Sequence, residues 1–67
     1  MSTIRINGKD EALAAATVAE LLLARGIERP KGVAVALNGS VVPRAAWLDT
    51  RLASGDVIEI VRPFGGG

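Results

Sequence analysis

The residues with most to offer chemically stand at the end of the chain, where Pro63 and Phe64 lead into Gly65-Gly66-Gly67. For an arbitrary protein, glycines in that place read most simply as a frayed end. Two neighbours argue for more. Pro63 stiffens the approach, and Phe64, one of two aromatic residues with Trp47, stands immediately before the glycines. The segment therefore reads as a directed arm. A run of glycine is the thinnest strand a polypeptide can make, so Gly65 and Gly66 can thread a narrow channel and place the Gly67 carboxylate in another protein's active site. Phe64 has two readings of equal weight, a last core residue folded back on the sheet or an exposed anchor for a partner's groove.

The rest of the chain offers little that reacts. With no histidine and no cysteine, it supplies no thiolate nucleophile, no serine–histidine relay and no zinc site of thiolate and imidazole ligands. Disulfides and thiolate-held iron–sulfur clusters are excluded for the same reason. Eight basic residues against seven acidic give a formal charge of +1, and the basic ones lie singly along the chain. There is no basic tract, so nucleic acid is not the expected partner. No apolar run approaches the roughly 20 residues of a membrane helix, and Met1–Asp10 has no apolar signal core. The expected location is the cytoplasm, with no membrane partner.

Whatever reacts at the end of the chain must be held by a small scaffold. In 67 residues, 49% of them hydrophobic, there is room for one thin core. Eleven alanines make that core aliphatic and of small volume, which leaves no space for a large pocket. The expected division is a domain over residues 1–62 and a tail over 63–67.

Ser2–Asn7 alternates, with Ile4 and Ile6 on one side, as a half-buried strand does. Asn7-Gly8 is a hairpin signal that returns the chain over Asp10–Ala15. Thr17 and Glu20 have the capping-box spacing, in which Thr17 accepts from the Glu20 amide and the Glu20 side chain reaches back to the Thr17 amide. A helix over Val18–Arg25 follows, with Val18, Leu21 and Leu22 on one face, Gly26 as its left-handed stop and Ile27 returning onto Leu22. Val33–Leu37 reads as a strand whose bulky residues pack on one face, while Ala34 and Ala36 admit a close neighbour on the other. Asn38-Gly39 reads as turn chemistry and Val41-Val42 as a short edge strand ended by Pro43. Arg44–Ala53 has no clean period, and Trp47, Leu48 and Leu52 are placed as the closure of one end of the core. Asp56 reads as a turn residue, Val57–Val61 as the last strand and Glu59 as a solvated charge on its outer side.

Taken together, Val35-Ala36-Leu37-Asn38-Gly39, Val42-Pro43-Arg44 with Trp47, Gly55-Asp56-Val57-Ile58-Glu59-Ile60 and the terminal glycines make the chain resemble the ThiS family. These are the sulfur carriers of thiamin thiazole biosynthesis. The resemblance spans nearly the whole chain. It departs from the usual pattern in ending on three glycines instead of two and in an alanine-rich second strand.

The resemblance implies an α+β, ubiquitin-like β-grasp fold: a mixed four- to five-stranded sheet, one main helix on one face and a flexible glycine tail. It further implies a carrier and not an enzyme, with no catalytic residue, metal or resident cofactor of its own. A ubiquitin-activating-like adenylyltransferase would use ATP to adenylate Gly67, and sulfur from a cysteine desulfurase system would displace AMP. The resulting thiocarboxylate would donate sulfur to thiazole synthase. The exposed side of the last strand, with Phe64 and Arg62, is the expected partner contact. The alternatives are a molybdopterin-synthase small subunit, a ubiquitin-like modifier joined to lysines, and a plain interaction module.

Overall fold

The computed structural model describes residues 2–28 and 31–62. Five strands, β1 (Thr3–Ile6), β2 (Lys9–Ala12), β3 (Ala34–Leu37), β4 (Ser40–Val41) and β5 (Val57–Val61), form one sheet in the order β2-β1-β5-β3-β4. The helix α1 (Val18–Ala24) lies between β2 and β3 in the chain. β1 and β5 run parallel, whereas the β1–β2, β3–β4 and β3–β5 pairs are antiparallel. The last strand is therefore the middle of the sheet.

Alternation settles which side of each strand is dry. Ile4 and Ile6 of β1, Val35 of β3 and Ile58 and Ile60 of β5 are buried, and they form one cluster with Val18, Leu21 and Leu22 of α1. The helix thus covers one face of the sheet, closing a two-layer core as the β-grasp expectation requires.

Local chemistry sets the ends of α1. Thr17 has extended backbone and its Oγ1 accepts from the Glu20 amide at 3.2 Å. The reciprocal bond expected from the Glu20 side chain is absent among the described residues; Thr17 lies opposite Arg51 in an isolated bridge, one bond of which runs from Leu52 N to Ala16 O at 2.9 Å. The first two helical amides are taken by the segment after β4: Val18 donates to Thr50 O at 3.0 Å and Ala19 to Trp47 O at 3.1 Å. At the other end, Gly26 lies at φ 80°. Gly26 N donates to Leu23 O at 3.0 Å and Ile27 N to Leu22 O at 2.9 Å, the paired bonds of a Schellman stop.

Several boundaries differ from expectation. β2 starts at Lys9 and ends at Ala12, not at Asp10 and Ala15. The two-residue turn through Asn7 (φ 50°) and Gly8 (φ 84°) brings Lys9 directly opposite Ile6. The later alanines have neither the branching nor the bulk to hold a strand. β4 is Ser40–Val41; the Val42 amide makes a ladder bond to Val35 O at 2.8 Å, and Pro43, which has no amide proton, follows as the chain leaves the sheet. In Arg44–Ala46 the chain makes a short 3-10 turn. That turn sends Trp47 inward, where its Nε1 donates to Val42 O at 2.9 Å. It also sends Leu48 outward, so Leu48 does not close the core; it is 76% exposed.

Candidate functional site

Of the sequence-derived site residues, Arg62 is described: it is exposed, one position beyond β5. Phe64, Gly65, Gly66 and Gly67 lie outside the described residues, and with them the two readings of Phe64 and the threading arm. The site that can be built is the strand and face from which the arm departs.

β5 alternates sharply. Ile58 and Ile60 point to the core, and Val57, Glu59 and Val61 point to the outer face. On that face Val61 stands opposite Ala34, Glu59 opposite Ala36, and Ala36 opposite Val41. Val61 and Val41 are exposed to 63% and 76%. The side of the sheet next to the exit of β5 is thus an apolar patch with shallow alanines at its centre and one carboxylate, Glu59, within it. Ala34 and Ala36 are the small side of β3, as their spacing suggests, and leave room for a partner's side chains.

The opposite end of the outer face is polar. Val57 stands beside Arg5, and Arg5 beside Asp10. Arg5 Nε donates to Asp10 Oδ1 at 3.0 Å. That hydrogen bond, followed by the carboxylate's charge, raises the Arg5 pKa further above an already high value. The guanidinium is charged at every working pH and contributes fixed charge, not proton transfer.

Both ends of β5 are gripped by asparagine side chains that the sequence reading assigned to turns alone. Asn38 Oδ1 accepts from the Val57 amide at 2.9 Å, and its Nδ2 donates to Asp56 Oδ1 at 3.1 Å. Asp56 also caps the local turn, accepting from the Ala53 amide through Oδ2 at 2.8 Å, as a turn residue should. Asn7 reaches Ile60, 53 positions away in the chain, through both ends of its carboxamide. No local pattern signals that contact; it exists because the sheet brings β1 beside β5.

Among the described residues no three acidic side chains gather as a metal site, and no helix is long and apolar enough to cross a membrane. What the arrangement can do is present an apolar sheet face and, from its middle strand, deliver the chain beyond Arg62 to a partner.

The ThiS family model matches residues 4–67. The chain belongs to the ThiS family. Among solved structures it is similar to the crystal structure of the thiamine biosynthesis protein ThiS from Geobacter metallireducens. The two are 35% identical with a TM-score of 0.79 over 97% of this chain and 99% of that one. It is similar also to the NMR solution structure of a thiamine biosynthesis protein from Geobacter metallireducens. There the identity is 36% and the TM-score 0.79, over 100% of this chain and 88% of that one. No curated protein sequence matches. The ThiS likeness covers the sheet, the helix and the connections between them, so the five-stranded sheet with one covering helix is the ubiquitin-like β-grasp fold.

Proposed function

We propose that this ThiS-family chain is a sulfur carrier in thiamin thiazole biosynthesis, with residues 1–62 serving recognition and residues 63–67 carrying the reacting atom. The observation that supports this most is the family match, which runs through the glycines to residue 67. It also favours the thiamin carrier over a molybdopterin-synthase small subunit.

In this reading the Gly67 carboxylate attacks ATP in a ubiquitin-activating-like adenylyltransferase, releasing pyrophosphate. A carboxylate is a poor electrophile; its acyl adenylate is a good one because AMP is a stable leaving group. A persulfide from a cysteine desulfurase system then displaces AMP through its terminal sulfur, and a thiol reductant attacks the outer sulfur of the resulting acyl disulfide, ending as a disulfide and freeing a Gly67 thiocarboxylate. That group is ionised at neutral pH, and like a thiolate it is a soft nucleophile, suited to giving sulfur to thiazole synthase. Bond-making catalysis belongs to the partners. The chain is a protein-sized cosubstrate.

The outer face supports this division of labour. Val61, Val41, Ala34 and Ala36 form an apolar surface beside the exit of the arm. A partner seated there, with Phe64 and Arg62 as further contacts, has the arm aimed into its own active site.

The test is intact mass of the natively purified chain before and after treatment with a thiol alkylator at neutral pH. Mass alone misleads, because oxidation of Met1 adds nearly what the exchange of oxygen for sulfur adds. With no cysteine in the chain, the expected result is one fast, stoichiometric adduct that fragments to Gly67. Deleting Gly67 should abolish it while leaving the circular dichroism spectrum unchanged. A chain that takes no alkylator when purified from cells with an active adenylating partner overturns the reading. Stable higher-mass adducts lost with Gly67 would point to the protein modifier instead.

A further inference from the structure

The parallel ladder between β1 and β5 is short. Arg5 pairs with Val57 and Ile6 with Ile58, and the last backbone bond runs from the Asn7 amide to Ile58 O at 2.9 Å. There the backbone of β1 turns away, because Asn7 enters the left-handed region. β5, however, continues to Val61. Val57, Glu59 and Val61 turn their backbone groups toward β3, as the bond from Asn38 N to Val57 O at 2.8 Å shows. By alternation the N–H and C=O of Ile60 face the space that β1 has vacated.

Backbone groups left facing such a gap need a partner. Asn7 supplies both halves of one. Its Oδ1 accepts from the Ile60 amide at 2.8 Å and its Nδ2 donates to the Ile60 carbonyl at 3.2 Å. A carboxamide carries the same donor and acceptor as a peptide unit. One side chain therefore extends the ladder by a residue while its own backbone begins the hairpin. Asparagine fits this position twice over, since it also tolerates the φ of 50°.

We propose that Asn7 is a positioning residue for activation of the carrier: by gripping Ile60 it holds the end of β5 in the sheet and sets the direction in which Arg62 and the arm leave. The proposal rests on the reading of Gly67 as the activated group. Without the clamp, β5 would be held beyond Ile58 by β3 alone, and the direction in which the chain leaves the sheet at Arg62 would be less narrowly set. Docking through the outer face would persist, whereas delivery of the carboxylate to the reacting position would suffer.

Two variants separate the carboxamide from the turn. Asn7→Gly keeps the backbone conformation and removes the clamp; Asn7→Asp keeps the shape but sets a carboxylate oxygen against the Ile60 carbonyl. Asn38→Gly removes a comparable grip at the far end of β5 and controls for loss of stability. All are assayed as the full chain, at a temperature where circular dichroism shows them folded, with the adenylating partner and ATP by pyrophosphate release.

Both Asn7 variants are expected to lower kcat about tenfold or more while KM for the carrier moves less than about twofold. In Asn7→Gly, which removes the acceptor, exchange of the Ile60 amide followed by NMR should accelerate about tenfold or more. Asn38→Gly should leave kcat within about twofold of the parent. An unchanged kcat beside faster Ile60 exchange would make the clamp purely structural and overturn the proposal. Equal losses in Asn38→Gly, or no acceleration at Ile60, would overturn it too. If the parent chain itself is never adenylated, the underlying reading fails and takes this role with it; that failure is recognisable because the parent is silent while Ile60 exchange still reports the clamp.

Discussion

At the scale of single residues, Trp47 joins two demands that a smaller side chain cannot meet. It is buried at 6% exposure and its indole N–H donates to the Val42 carbonyl. Trp47→Phe keeps most of the packing and leaves that carbonyl without its donor, so a loss of about 1–3 kcal/mol is expected in urea unfolding. Gly26 is a conformational case instead. A Cβ built there meets nothing within 4 Å, yet φ is 80°. Gly26→Ala should therefore cost about 1 kcal/mol through the backbone alone, with no change in the rest of the fold by NMR chemical shifts.

The elements show where reading from sequence succeeds and why it stops. The start and stop of α1 were legible because the Thr17 hydroxyl accepts from the Glu20 amide and the Gly26 amide donates to Leu23 O, each within a turn. β5 was legible in full from its alternation. The stretch Arg44–Ala53 was not, since its one short 3-10 turn shifts the inward direction from a period no sequence window displays, and Leu48 was misplaced. The grip of Asn7 on Ile60 was invisible for a different reason: both residues announce ordinary local roles, and a mixed sheet read from alternating stripes does not say that β1 lies beside β5 or in what register. The arm, the residues with the clearest chemical promise, is where the described structure ends.

One element also carries room for improvement. The alanines after β2 leave a partly open gap of about 170 Å³ between that segment and the helix, lined by Ile4, Ile6, Leu21 and Ala24 among others. Ala24 lies on the helix at the mouth of the gap and is exposed. Ala24→Leu should extend the apolar face of α1 over it and raise stability by about 1 kcal/mol, measured as a shift in the urea midpoint at constant m-value.

For the whole molecule, the proposed function assigns stability to the dry face under the helix and partner recognition to the apolar outer face. Val61 lies on the outer face and is 63% exposed. Val61→Glu would place a second carboxylate beside Glu59 on the surface offered to partners. The expected outcome is unfolding within about 0.5 kcal/mol of the parent and a KM for the carrier raised about tenfold or more in the adenylation assay. Equal KM values would move the docking surface elsewhere.

The central place of β5 bears on how the protein is made. A chain emerging from the ribosome has β1, β2, α1, β3 and β4 in hand before the strand that joins them exists, since β5 lies between β1 and β3 and is last in sequence. Until then the two hairpins have no common sheet and Ile4, Ile6 and Val35 have no central neighbour. Folding must wait for contacts that close most of the chain's length. A nascent chain in which β5 is not yet available would thus lack the outer face as a continuous surface, and a partner that docks on that face would pass over chains whose sheet is still unjoined.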